Sequence, residues 1–302
     1  MKRLFIKPTA LASIALATAL IWACNDNKDQ LSPAQKQANA ESTAEDNSQI
    51  IYATQEMMDV TSGAFAEKGI TEGRAITGGR EMTWGCNPSI SGNFNINTSI
   101  ADSVIYTGSI TVDYGTGENC DALQRRTGKI TDNFVYAISL KNNSLFTIRE
   151  DISFVGFKKD SVQFDGNVIL AAATKSPTTV EAKGAKLSYA DGTSAQWNGV
   201  LSFEYERVKN TRNWGGGMIT VTGSLSGKSR SNTNFSALIS SGIVFKNTCS
   251  GRHQYIPVSG VIDINSDGID SKVDYGAGIC DKMFTITTGG TTTIHYWDKA
   301  AL

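Results

Sequence analysis

The sequence has few of the residues and motifs on which catalytic chemistry usually depends. It contains only two histidines, His253 and His295, and neither lies in a nucleophile or zinc motif. The patterns G-x-S-x-G, H-E-x-x-H and C-x-x-C do not occur. Glu204 and Glu206 lie on one face of a predicted strand and could form a glycosidase pair, although exposed carboxylates at this spacing are common. The sequence therefore favours binding over catalysis, with a secreted glycosidase-like hydrolase as the alternative.

A surplus of basic residues is also missing. The 302 residues include 28 Lys and Arg against 29 Asp and Glu. Loss of a leader containing Lys2, Arg3 and Lys7 would leave 25 basic residues against 29 acidic ones, a net charge near −4. Proteins that bind nucleic acids use Lys and Arg to neutralise phosphates, so no nucleic-acid partner is expected. The 40% hydrophobic content is typical of a globular chain.

The N-terminal segment has the pattern of an export signal. A basic start precedes an uncharged stretch over 9–22 that is too short to span a bilayer comfortably. The segment Ile21-Trp22-Ala23-Cys24 resembles the lipobox of bacterial lipoproteins. That resemblance implies removal of residues 1–23, lipid on the thiol of Cys24 and acylation of its new amine, for example with palmitate. The alternative is an ordinary secretory signal, which would leave a free thiol.

The number of cysteines supports a lipid on Cys24. The mature chain would hold an odd number, and assigning Cys24 to lipid leaves the even set Cys86, Cys120, Cys249 and Cys280. Residues 24–48 contain almost no large apolar side chain and are predicted to form a flexible tether. The Asn and Asp cluster directly after Cys24 resembles the surface-export signal of Bacteroidota-type lipoproteins. We therefore expect a protein anchored to the outer membrane, either surface-exposed or facing the periplasm.

The residues after the tether predict a mainly β fold. Over 49–79 we expect a short helix with Ser48 as its N-cap, followed by a glycine-rich link. Over 80–302 apolar and polar residues alternate, turn pairs such as Asp267-Gly268 recur, and no long amphipathic helical pattern interrupts them. Many short strands without crossover helices indicate an antiparallel sandwich or barrel-like layers.

Two segments of this β region, at about 80–150 and 245–302, repeat one another. Each has a cysteine, then a Val-Asp-Tyr-Gly-x-Gly segment, then Cys-Asp. The simplest pairing lies within each copy, Cys86–Cys120 and Cys249–Cys280. In the chain-entropy description each bridge would stabilise the fold by about 3–4 kcal/mol.

The aspartates of these repeated segments have two interpretations. Asp113 and Asp274 stand before glycines and are expected to pin a turn by accepting backbone hydrogen bonds. The alternative makes them ion ligands together with Asp121 and Asp281. The lipobox, the tether and the two cysteine modules resemble a group of Bacteroidota-type lipoproteins with an all-β body and no established activity. The resemblance implies location and fold.

One pattern matches the spacing of a calcium loop. Side-chain oxygens occur at its positions 1, 3, 5 and 12 with Gly at position 6, and the residues are Asp263, Asn265, Asp267 and Asp274. The alternative is a hairpin turning at Asp267-Gly268, with Asp263 and Asn265 along one strand and pointing outward. Calcium is the one cofactor that the sequence suggests.

A tryptophan beside glycines is the best candidate for ligand contact. Trp214 precedes three glycines and has Arg212 nearby, so its ring could stack on a sugar. We therefore expect a lipid-anchored, non-enzymatic binding module for a glycan, a protein or an envelope component. A structural or scaffolding lipoprotein is a further alternative.

Overall fold

In the computed structural model, the described residues form one helix followed by thirteen strands. It describes residues 31–68, 86–98, 102–118, 120, 125–141, 144–159, 161–173, 177–206, 218–246, 256–281 and 283–296. The helix α1 spans Pro33–Glu67, and the strands are β1 Ser89–Asn97, β2 Ser103–Asp113, β3 Arg126–Ser139, β4 Ser144–Lys159, β5 Val162–Ala173, β6 Thr178–Ser188, β7 Ser194–Glu206, β8 Met218–Lys228, β9 Asn234–Lys246, β10 Ile256–Ser266, β11 Ile269–Ala277, β12 Met283–Thr288 and β13 Thr291–Tyr296. The mainly β, antiparallel fold with an N-terminal helix is thus confirmed. The chain from Gln37 onward forms one compact unit, and the chain before it forms another.

The start of α1 lies well before the N-cap predicted at Ser48. The Oγ of Ser32 accepts a hydrogen bond from the backbone N–H of Gln35 at 3.2 Å, and Oε1 of Gln35 accepts one from the backbone N–H of Ser32 at 2.9 Å. This reciprocal pair is a capping box, and Pro33 follows it where a missing N–H costs no hydrogen bond. The helix therefore has 35 residues. The prediction of a tether over 24–48 is wrong from Pro33 onward, because the chain is helical there. The helix is also longer than the short helix that was predicted.

Over most of its length α1 is buried on every side. The consecutive residues Asp46, Asn47 and Ser48 are at most 2% exposed, and Ile50 and Ile51 are buried side by side. A helix that rests on one flat sheet has a single apolar stripe, so burial at consecutive positions requires cover on several sides. The sheet therefore curves around the helix.

The thirteen strands form one sheet in which each strand pairs with its neighbours in sequence. Along β9, exposed and buried side chains alternate from Asn234 to Ile239, so one face of the sheet points inward and the other outward. The strands β1 and β13 lie at the two edges, and the sheet is not closed into a barrel. The sequence predicted a sandwich or barrel-like layers, whereas the described strands form a single curved sheet. Hairpin connections bring each strand beside its predecessor, so all the described strands belong to the same sheet and none of them forms a second sheet.

The hydrophobic core lies between the inner face of the sheet and α1. Ile50, Met57 and Phe65 of the helix belong to one buried cluster with strand residues such as Phe203. The ring of Phe65 lies 4.8 Å from that of Phe134 in an edge-on arrangement. Burying each large apolar side chain contributes about 1.5–3 kcal/mol, so the helix is an integral part of the core.

The two repeated segments have the same local structure. In the first copy β1 pairs with β2, and in the second β10 pairs with β11. Oδ1 of Asp113 accepts a hydrogen bond from the backbone N–H of Gly115, and Oδ1 of Asp274 accepts one from Gly276, both at 2.9 Å. Both glycines have a positive φ, 56° and 85°, which residues with a side chain disfavour. Each aspartate therefore pins a turn.

A disulfide closes the first repeated segment. Cys86, just before β1, is bonded to Cys120, which follows β2, and this prediction is confirmed. Cys280 is also disulfide-bonded, and its partner lies outside the described residues. The pairing of Cys280 with Cys249 therefore stays a prediction.

Candidate functional site

A depression of about 800 Å³ lies on the outer face of the sheet, across β7 to β12. Strand register arranges its outward side chains in two rows. The first row is Asn198, Ser226, Ser236, Asn265 and Asp270. The second row is Ser224, Leu238, Asp263, Lys272 and Thr287. We call this surface the outer depression.

Small side chains on β8 and β9 contribute to the outer depression. Serines 224, 226 and 236 reach only a short way from the backbone, whereas Asn198 and Lys272 extend farther at either side, and Leu238 is the one large apolar side chain among the outward lining residues that the structure describes. The pairing of β8 with β9 also shifts register between Val221 and Ser224. Such irregularities increase local twist and bend the sheet. The floor of the outer depression is therefore recessed. The backbone pairing at its lining residues is nevertheless continuous.

The outer depression offers many hydrogen-bonding groups. The side-chain amide of Asn265 donates to Oδ1 of Asp270 at 2.7 Å, which holds this carboxylate in place. Asp263 lies opposite Lys272 in the β10–β11 pair. Hydroxyls of three serines and one threonine complete a surface that can both donate and accept. The described residues that line it include no aromatic side chain.

The calcium-like segment is a hairpin at the edge of this depression. Asp267 and Gly268 have φ of 45° and 83° and form its two-residue turn, and Oδ1 of Asn265 accepts a hydrogen bond from Gly268 N–H at 3.2 Å. Asp263 pairs with Lys272, whereas Asp274 pairs with a residue farther from the turn. The four proposed ligands are thus spread along a ladder. In the described parts of the chain no group of three or more His, Cys, Asp or Glu is placed to hold a metal ion, so calcium binding gains no support from this geometry.

A second group of polar residues, which we call the Asp46 cluster, lies on the inner side of the sheet. Oδ1 of Asp46 lies 2.7 Å from Nε of Arg230, and Oδ2 accepts the backbone N–H of Arg230 at 2.8 Å. The Tyr189 hydroxyl donates to Asp46 at 3.0 Å, and Glu45 lies 3.1 Å from the same Arg230 guanidinium. Burial raises the pKa of Asp46, and the neighbouring Arg230 opposes that rise.

The Asp46 cluster extends to the last strand through His295. Its Nε2 lies 3.3 Å from Glu41 and its Nδ1 lies 3.4 Å from Glu45, one turn later on α1. Thr293 donates a hydrogen bond to Glu41 at 2.7 Å, and the imidazole stacks on Phe284 with centroids 5.2 Å apart. The carboxylates of Glu41 and Glu45 therefore each contact a side chain of β13. The arrangement attaches the helix to β13 and to the β8–β9 connection.

A third group, the Glu56 cluster, is more deeply buried. Glu56 of α1 contacts Arg126 of β3, and its Oε2 lies 2.9 Å from Nζ of Lys159 at the end of β4. Nζ of Lys159 also lies 5.0 Å from the centre of the Tyr52 ring. Burial by itself would raise the pKa of Glu56, but the charges of Lys159 and Arg126 outweigh it and lower the pKa to about 2.

Several residues proposed from the sequence lie outside the described residues. They are Cys24, Arg212, Trp214, Cys249 and His253. Glu204 is exposed on β7, so a carboxylate of the proposed glycosidase pair faces solvent.

The helical carboxylates at positions 41, 45, 46 and 56 were not among the residues proposed from the sequence. For the first three, the spacing along one helix was hidden because the helix was predicted to begin only at residue 49. Glu56 lay within the predicted helix, but its cationic partners are 70 and 103 residues away in sequence, so no local pattern could identify its role.

Comparison with protein-family models, with curated proteins and with solved structures found no match for this chain. Within the described residues, no helix combines the length and the apolar character needed to cross a bilayer. The surfaces of the molecule and the sequence signals of its N-terminal segment are therefore the observations that bear on function.

Proposed function

We propose that this chain is a lipid-anchored envelope protein, attached through Cys24, whose outer depression binds a glycan without catalysis. The observation that carries the binding proposal is the pair of rows of outward side chains, polar except for Leu238, that together cross six neighbouring strands. The lipobox-like sequence and the even set of four other cysteines support the anchor.

The chemistry of the outer depression suits a polymer that carries hydroxyls at regular intervals. Neighbouring strands lie about 4.8 Å apart, so each row of five side chains extends over roughly 19 Å, and every position in the two rows except Leu238 presents a polar group. Serine hydroxyls and the amides of Asn198 and Asn265 can donate to and accept from sugar hydroxyls. Asp263, Asp270 and Lys272 carry charges of both signs, which suits a ligand without a large net charge.

A hydrolase receives less support from the structure. The clustered carboxylates Glu41, Glu45 and Asp46 contact strand residues on the inner side of the sheet, whereas the outer depression lies on the other side. General acid catalysis needs a carboxyl within hydrogen-bonding reach of the substrate. The carboxylates of the outer depression itself are Asp263, which lies opposite Lys272, and Asp270, which accepts a hydrogen bond from Asn265, so each has a polar neighbour on the paired strand. A binding role requires only the polar surface that is present.

A substitution that fills the outer depression tests this proposal. Ser236 and Ser240 both lie exposed on β9, but only Ser236 lines the depression. The wild-type chain is first screened against a panel of neutral polysaccharides, and binding of the best one is measured by titration calorimetry. Ser236→Trp is expected to weaken binding at least tenfold, and Ser240→Trp to leave it unchanged. Retention of full affinity by Ser236→Trp, or binding of no polysaccharide by the wild type, would contradict the proposal.

A further inference from the structure

The two ends of the sheet differ in how they relate to α1. In an antiparallel sheet of consecutive strands, the connections that leave even-numbered strands share one end, and those that leave odd-numbered strands share the opposite one. We call the first the near end and the second the far end. The turn at Asp267-Gly268 and the turn at Gly289-Gly290 belong to the near end.

The early part of α1 is attached to the near end at separate connections. The side-chain amide of Gln37 donates to the carbonyl of Thr288, the last residue of β12, at 3.3 Å. Thr43 shares a hydrogen bond of 3.2 Å with Ser266, the last residue of β10. Asp46 accepts from the backbone of Arg230, in the connection between β8 and β9. The chain therefore enters the compact unit at its near end.

The length of chain before this point is short compared with the sheet. Nine residues lead from Cys24 to the helix start at Pro33, and fully extended they reach at most about 32 Å. The helical residues from Pro33 to Gln37 add only about 6 Å. A strand of thirteen residues such as β9 is itself about 43 Å long. If the far end faced the membrane, the tether would have to run back along the whole sheet, a distance longer than its full extension. Holding the chain fully extended also has a large cost in backbone entropy, so this orientation is strongly disfavoured.

We propose that the near end faces the bilayer and lies within reach of its headgroups, while the far end points away from the membrane. The inference rests on the lipid at Cys24 proposed above. It also has a consequence for the ligand. The outer depression includes the rung of Asn265 and Asp270 beside one near-end turn and the glycines of another, so it would open close to the membrane surface.

The surface chemistry of the two ends agrees with this orientation. Among the described near-end connections, no large apolar side chain is exposed, and residues such as Asp191, Asn232 and Asp267 are polar. This end therefore suits contact with hydrated headgroups rather than insertion into the bilayer. At the far end, Leu140 and Ile279 are 59% and 68% exposed. They would face away from the membrane.

Energy transfer to labelled lipid tests the orientation. Full-length lipidated protein is reconstituted in vesicles of phosphatidylethanolamine and phosphatidylglycerol that contain an acceptor-labelled lipid. A donor dye is placed by single substitutions at exposed positions, Ser161→Cys and Thr291→Cys at the near end and Leu140→Cys and Lys141→Cys at the far end. Transfer from both near-end positions is expected to be at least twice that from both far-end positions. Equal transfer from the four positions, or greater transfer from the far end, would overturn the orientation.

A separate measurement distinguishes failure of the anchor from failure of the orientation. Flotation with the vesicles and the mass of the N-terminal peptide are recorded for the wild type and for Cys24→Ser. The wild type is expected to float and to carry acyl mass, and Cys24→Ser to do neither. A wild type that carries no acyl chain would overturn the anchor and the orientation together. An acylated, floating protein with equal transfer from both ends would overturn the orientation alone.

Discussion

Two clusters fix α1 inside the sheet with the same kinds of residues, yet their central carboxylates respond to burial in opposite ways. Glu56 faces two cations, Arg126 and Lys159, and all three side chains are at most 11% exposed. Asp46 shares a single, partly exposed Arg230 with the neighbouring Glu45. The pKa is lowered to about 2 for Glu56 and raised for Asp46. Burial thus stabilises or disfavours a carboxylate according to how many cations it meets.

Removal of the Glu56 carboxylate is expected to have the largest effect on the free energy of unfolding. Glu56→Gln leaves Arg126 and Lys159 buried without their anion, and such a loss costs about 3–5 kcal/mol. Denaturant unfolding measures the change in the free energy of unfolding. Glu181→Gln is the matched control, since Glu181 pairs with Lys183 at an exposed site and its loss is expected to cost less than about 1 kcal/mol. Similar losses in the two variants would show that the Glu56 cluster does not stabilise the fold.

The pH dependence of stability separates the two clusters further. The pKa of Glu56 falls from 4.5 to about 2 on folding, so its contribution is fully present above pH 4.5 and is lost as the pH falls toward 2. A shift of this size corresponds to roughly 3 kcal/mol. The pKa of Asp46 is raised, so its ionisation acts in the opposite direction and lowers stability as the pH rises through the folded-state pKa.

Unfolding measured at several acidic pH values tests this difference. The wild type should lose stability as the pH falls below about 4.5, and Glu56→Gln should lose most of that slope. Asp46→Asn should retain it or make it steeper. If Glu56→Gln kept the full acid slope, another carboxylate would be responsible for it.

Substitution at Asp46 should have a smaller effect on stability than substitution at Glu56. Asp46→Asn removes the cost of a buried charge and weakens the bonds to Arg230 and Tyr189, so the two changes partly cancel. We expect a loss of about 1 kcal/mol, against the larger loss for Glu56→Gln. Thermal unfolding of both variants beside the wild type measures the difference. A loss at Asp46 as large as that at Glu56 would mean that the number of facing cations does not decide the outcome.

The sequence predicted those features of the fold that depend on neighbouring residues. Alternating side chains indicated strands, and Asp267-Gly268 indicated a two-residue turn. The repeated cysteine segment indicated the bridge Cys86–Cys120. The start of the helix also had a local sequence signal, the capping pair Ser32 and Gln35, but the polar residues after it were interpreted as a tether.

The sequence by itself determined the strands, the hairpin turns, the repeated module and its disulfide, because each follows from residues close together in the chain. Only the tertiary structure decided that the strands form one curved sheet and that polar residues such as Asp46 are buried within it. The partners of Asp46 and Glu56 lie 70 to 184 residues away in sequence, so no local pattern could identify them. The outer depression has the same origin, since it requires six strands to lie in register.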